Sequence, residues 1–138
     1  MKKLVLLLSV FALVFISCSS DDDSSSQDPL IGTWKYHNYI VNGVEDTPTD
    51  CEMQETFVFS SDGTFDYAYY EEDFEDNCVL EESISGTWTN DGNEIYTQII
   101  EGESYSQELS FEGNTFYYED VYTFEGVTYT EREVYIKQ

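Results

Sequence analysis

Carboxylates and phenols dominate the reactive side chains of this 138-residue sequence: 29 Asp and Glu and 12 Tyr stand against 5 Lys and Arg and a single His. Densest is the run Glu71-Glu72-Asp73-Phe74-Glu75-Asp76, whose oxygens would suit a hard cation such as Ca²⁺. It lacks the alternating Asp-x-Asp-x-Asp-Gly spacing that wraps a chain around that ion, so a solvated acidic loop is expected rather than a metal site. A glycosidase-type pair needs one acid with a raised pKa inside a cleft, and nothing in the order of the acids singles out two. Nucleophilic catalysis fails on inventory. His37 is the only imidazole and no Gly-x-Ser-x-Gly elbow accompanies it, whereas a triad needs a base positioned beside its nucleophile. No glycine-rich loop leads into a helix to hold phosphate. The expectation is a non-enzyme, with no catalytic residue, no metal and no cofactor.

Charge narrows the partners. The formal charge is −24, and phosphate backbones are bound by clustered Lys and Arg, so nucleic acid is excluded. Lys2 and Lys3 precede an apolar run from Leu4 to Ile16 that stops at Ser17-Cys18, the layout of an export signal. As a helix that run spans roughly 20 Å, short of a hydrocarbon core of about 30 Å. Phe15-Ile16-Ser17-Cys18 resembles a lipobox, in which cleavage leaves the cysteine as an acylated first residue. Phe15 and Ser17 depart from the Leu and the Gly or Ala usual there. Residues 1–17 are thus read as a lipoprotein signal peptide, Cys18 as the lipidation site, and 18–28 as a tether too rich in Ser and Asp to bury apolar area. Lipid on Cys18 would hold the protein at a membrane with no spanning segment. In an exported chain the two remaining cysteines, Cys51 and Cys78, are expected to pair. Closing the loop between them is worth roughly 3 to 4 kcal/mol in the chain-entropy model.

The elements that would carry the tyrosines are strands. Turn signals recur at Asn42-Gly43, Asp62-Gly63, Asn90 to Asn93, Glu101-Gly102, Gly113-Asn114 and Glu125-Gly126, each supplying residues that tolerate positive φ. Between them, runs of Tyr, Phe, Val, Ile and Thr alternate with polar residues, the period of a strand with one buried face. Eight strands are predicted over 32–41, 55–60, 64–72, 82–90, 94–101, 104–112, 115–124 and 127–137. An open sheet of that size exposes two edges, so an all-β, eight-stranded antiparallel up-and-down barrel over 29–138 is expected, with a two-sheet sandwich as the main rival. Alternation puts Trp34, Tyr36 and Ile40 on its inner face, with Phe57 and Phe59, Phe65, Tyr67 and Tyr69, Ile84, Gly86 and Trp88. Further round come Ile95, Thr97 and Ile99, Tyr105, Leu109 and Phe111, Phe116, Tyr118 and Tyr122, then Val134 and Ile136. Tyr39, Tyr70, Tyr96, Tyr117, Tyr129 and Tyr135 stand on the other face of their strands, and one register slip would exchange the two faces.

Leu30-Ile31-Gly32-Thr33-Trp34, the Asp62-Gly63-Thr64-Phe65 hairpin, the second Gly86-Thr87-Trp88 and Gly113-Asn114-Thr115-Phe116 together resemble the lipocalin-like domain of Bacteroidota lipoproteins. The resemblance covers most of Leu30 to Lys137 and implies a meander barrel with room for a small molecule. It also implies barrel-closing roles: Gly32 for close backbone approach, Trp34 as a plug at one end, and a basic residue of the last strand over that indole, for which Arg132 is the candidate. The acidic segment after Cys18 is similar to the export signal that sends such lipoproteins to the cell-surface face of the outer membrane.

Two functions follow from these readings. In the first, a monomeric outer-membrane lipoprotein binds a small apolar or amphiphilic molecule through Tyr36, Phe57, Phe59, Tyr67, Tyr69, Trp88, Tyr105 and Tyr118, in a pocket of about 300 Å³ or more. In the second, a non-catalytic envelope module has a barrel filled by side chains and acts through an exposed aromatic patch.

Overall fold

A computed structural model describes residues 27–138; the leader, Cys18 and most of the tether lie outside the described residues. Ten strands form one antiparallel sheet: β1 Gly32–Val41, β2 Val44–Asp46, β3 Thr56–Phe59, β4 Thr64–Glu72, β5 Cys78–Gly92, β6 Ile95–Ile100, β7 Glu103–Glu108, β8 Ser110–Glu112, β9 Thr115–Phe124 and β10 Val127–Lys137. One turn of 3₁₀ helix, Glu52–Gln54, is the only helical element among them. The two-residue turns close as their composition requires: Glu125 and Gly126, for instance, take φ of 50° and 82°, the mirror-image turn whose twist matches that of paired strands.

The sheet order is β7-β6-β5-β4-β3-β1-β10-β9-β8, with β2 beside β1. The last strand therefore pairs with the first, from Trp34↔Lys137 to Val41↔Glu131. The path also begins and ends on one run of chain, since β7 and β8 are consecutive halves of what the sequence predicts as a single sixth strand. Leu109 divides them. The first half pairs back to β6 and the second forward to β9, so the eight-stranded barrel of the sequence reading is a curled sheet, continuous at one end and split along one side at the other. The antiparallel meander and seven of its eight strands fall where predicted, although β5 begins four residues earlier and takes in Cys78; the short β2 and the division at Leu109 are not predicted.

At the continuous end lies the core: Leu30, Trp34, Phe59, Phe65, Trp88, Tyr96, Leu109, Phe116 and Tyr135 are all buried. Their rings meet edge to face or offset, as Trp34 and Phe116 do at 4.8 Å between centroids and Phe116 and Tyr135 at 4.9 Å. Each such pair adds about 0.5 to 1.5 kcal/mol beyond area burial. Because Trp34 donates its indole N–H to Leu30 O at 2.7 Å, the segment entering β1 is pinned across this floor. Near the opposite end the disulfide between Cys51 and Cys78 ties the approach to β3 to the start of β5.

Facing differs from simple alternation wherever the ladder shifts. A bulge between Tyr36 and Asn38 turns Ile40 outward beside Arg132 and Tyr39 inward beside Glu133. In the turn before β6, Gly92, Asn93 and Glu94 all have positive φ and the register shifts between Asn90 and Gly92. That extra residue moves Tyr96 and Ile100 inward and leaves Ile99 exposed, reversing the predicted set Ile95, Thr97 and Ile99. β10 has no such shift against β9; there Tyr135, opposite the buried Phe116, faces the core in place of Val134 and Ile136.

Candidate functional site

Gly32, Trp34 and Lys137 close the floor. Lys137 pairs with Trp34 across the seam and holds its ammonium 5.0 Å from the indole centroid, donating to Pro29 O at 3.0 Å. Gly32 sits at φ of 142°, and a Cβ there would come within 2.7 Å of Lys137 Cε, so glycine makes room for the cation. The place over Trp34 that the resemblance offered to Arg132 thus belongs to Lys137. Arg132 is opposite Ile40, several residues along the strand and on the outer face, where it lies 4.7 Å from the Tyr117 ring centroid and pairs with Glu119.

Above the floor the interior turns polar. Glu55, only 7% exposed, accepts a hydrogen bond from the Tyr135 hydroxyl at 2.6 Å and another from Tyr67. Tyr118 donates to Glu133, whose carboxylate also lies 3.2 Å from the Tyr135 hydroxyl. Burial pushes the Glu55 pKa up, and the two tyrosine hydrogen bonds only partly offset that. Burial and then the negative charge of Glu133 raise Tyr118, while burial and nearby carboxylates lift Tyr36 to about 12. These phenols stay protonated as donors at neutral pH. Tyr36, Tyr67, Tyr69 and Tyr118 are part-exposed although their strands turn them inward, which is how a wall around an open mouth behaves.

The split supplies the remaining wall. Trp88, Gln98 and Tyr105 are successive cross-strand neighbours on one inner face. Tyr105 is nevertheless 53% exposed, because no strand covers it from the β9 side. A cavity of about 210 Å³ opens there, lined by Tyr96, Gln98, Tyr105, Gln107, Leu109 and Asp120. It falls short of the roughly 300 Å³ usual for a buried drug-sized ligand. The fit is to a small molecule, or to one end of a longer one.

The residues predicted to line a ligand therefore separate by height. Phe59 and Trp88 are buried in the floor, Trp88 donating to Ser60 O at 3.1 Å. Phe57 packs 4.4 Å from Tyr67 and 5.3 Å from Tyr135, between centroids, at the boundary. Tyr36, Tyr67, Tyr69 and Tyr118 stand round the mouth and Tyr105 beside the split. Glu55, Glu133, Gln98, Gln107 and Asp120 escape sequence reasoning, since among so many acids and amides only register tells which face inward. His37 is exposed in the bulge. In the acidic loop, Asp73 accepts the backbone N–H groups of Glu75 and Asn77, each at 2.9 Å, and so caps its own turn. Among the described residues no cluster of His, Cys, Asp and Glu has metal-binding geometry.

A family model described as a lipocalin-like domain matches residues 30–118, from the floor segment through the first residues of β9. No curated protein matches the chain.

Proposed function

The chain belongs to the lipocalin-like domain family, and from that premise we propose that it binds a small amphiphilic molecule at the open end of its barrel, as a lipoprotein held at the outer membrane through Cys18. The observation that carries the reading is the inward ring of part-exposed tyrosines above a packed floor. Their faces suit an apolar ring or chain, while the carboxylates, the hydroxyls and the split-side amides of Gln98 and Gln107 suit a polar end. Among the described residues no catalytic constellation accompanies them, and the role proposed is binding rather than turnover.

The floor also supports an orientation. Asp28, at the start of the described chain, accepts from Asn90 Nδ2 at 2.6 Å and from the Tyr96 hydroxyl at 3.2 Å. The described chain thus begins at the floor end, which favours, for a protein held through Cys18, a mouth directed away from the bilayer. The Bacteroidota-type acidic segment after the cysteine favours the cell-surface side.

The test is a titration with N-phenyl-1-naphthylamine, an uncharged fluorescent probe. Saturable one-site enhancement is expected, weakened about tenfold, or 1.4 kcal/mol, by Tyr105→Ala and by Tyr118→Ala. Enhancement that fails to saturate, or that both variants leave unchanged, would remove the basis of the reading. For the anchor, Cys18→Ser should move the protein from the membrane to the soluble fraction.

A further inference from the structure

Beyond small-molecule binding, we propose that the cleft between β7 and β9 takes up an extended, basic segment of another polypeptide as an added strand. β7 pairs only with β6, and from Tyr118 onward β9 pairs only with β10. Two hydrogen bonds fix which backbone groups are left over. Leu109 N–H donates to Glu94 O at 2.8 Å, so in the antiparallel ladder the odd-numbered residues of β7 bond to β6, and Ser104, Ser106 and Glu108 present their N–H and C=O to the cleft. Lys137 N–H donates to Asn114 O at 2.8 Å, so on β9 the backbone groups of Glu119, Val121 and Thr123 turn away from β10 and toward the same cleft. Two rows of unpaired main chain face each other.

The strands have a reason to part. Continuing the Ser110↔Tyr117 register would set Glu108 directly beside Glu119, and like charges in that position oppose pairing. Arg132 is engaged with Glu119, which leaves Glu108 uncompensated.

Exposed edges are commonly blunted by lysine, proline or a covering loop. β7 and β9 contain no Lys, Arg or Pro and carry Glu103, Glu108, Glu119 and Asp120 instead. Between two copies of a chain of charge −24 those carboxylates repel, and toward a basic segment they attract. Strand addition draws affinity from main-chain hydrogen bonds and specificity from alternate side chains. Next to Leu109 β7 and β9 still lie against each other, so an incoming strand would enter farther along, beside Ser104, Ser106, Val121 and Thr123, with Lys or Arg on its outer face drawn toward Glu108 and Glu119. It would set apolar or aromatic residues against Tyr105 and Tyr122 on the inner face, where both rings are exposed. Nothing in this inference depends on a ligand in the mouth.

The probe is the acetylated, amidated heptapeptide Val-Lys-Tyr-Lys-Val-Lys-Val, added to the full-length protein as the cell processes it. Residue-resolved amide exchange should slow at least tenfold at Ser104, Ser106, Val121 and Thr123. The Lys-to-Glu peptide and a backbone N-methylated peptide should leave these amides unchanged. Val121→Pro removes a cleft-facing N–H without touching the β9·β10 ladder and should abolish the slowing; Ser106→Pro repeats the test from the other edge should the first variant not fold. The proposal is overturned if the basic peptide slows none of these amides, or if they are already slow in the free protein because β7 and β9 zip together. It is equally overturned if they slow only as protein concentration rises, which would make the occupant a second copy.

Discussion

Lys137 and Arg132 are both cations of β10 lying against aromatic rings, yet their settings differ. Lys137 covers the buried Trp34 and ties Pro29 to the floor, whereas Arg132 is part-exposed on the outer face beside Tyr117. Lys137→Ala should lower stability by about 1 to 2 kcal/mol, within the range of a partly desolvated cation–π contact plus a lost hydrogen bond. Arg132→Ala should cost under about 1 kcal/mol, as exposed ion pairs do. Urea unfolding of the two variants would decide between them, and an Arg132 cost larger than that of Lys137 would reverse the assignment. Glu55 gives a pH signature. Its folded pKa lies above the usual carboxylate value because burial disfavours the charged form. Below that usual value both folded and unfolded forms are protonated, and as pH rises the unfolded chain loses its proton first, so the stability tied to the protonated acid is lost through the folded pKa. Glu55→Gln should therefore melt a few degrees higher than the parent at pH 7 and at nearly the same temperature at pH 4.

Strands and turns were readable from sequence because they depend on local chemistry: Asn-Gly and Glu-Gly pairs set the hairpins, and period-two alternation set the strands between them. Inner and outer faces were readable only as far as the ladder stayed regular. The bulge after Tyr36 and the extra residue before β6 are invisible to alternation, which is why Tyr39 and Tyr96 turn inward against the simple pattern while Phe57, Phe59, Phe65 and Tyr67 follow it. Tyr135 sits in a regular ladder opposite Phe116, and there the pattern misleads because the aliphatic Val134 and Ile136 mark the opposite face as the core face. The division at Leu109 is likewise hidden, since Glu108 and Glu119 become neighbours only once the register is known. Two tests belong at this scale. Gly86→Ala would place a Cβ 2.4 Å from Ile99 O and 2.7 Å from Phe65 Cε1; with backbone on one side and a buried ring on the other, a loss of about 2 kcal/mol or more is expected in chemical denaturation. Replacing Cys51 and Cys78 together by Ser should cost roughly 3 to 4 kcal/mol in the chain-entropy model, and an unchanged denaturation midpoint would show that the bridge contributes nothing to stability.

For the whole molecule the division of labour runs along the barrel axis. One end is a packed aromatic floor bearing the start of the described chain; the other is a tyrosine-and-carboxylate mouth with a split in its wall. Side chains fill the floor, and the cavity beside the split, about 210 Å³, is smaller than the roughly 300 Å³ expected of a ligand pocket. The acidic charge spread over both ends makes copies of the protein repel one another. Everything rests on where the sheet is continuous and where it parts, and residue-resolved amide exchange of the free protein measures that directly. Arg132, Val134 and Ile136, whose N–H groups close β10 onto β1, should exchange at the slow rates of global unfolding, while Ser106 and Val121 on the facing edges of the split should exchange orders of magnitude faster. Fast exchange at the β1·β10 seam, or protection at Ser106 and Val121 equal to it, would contradict the split cup.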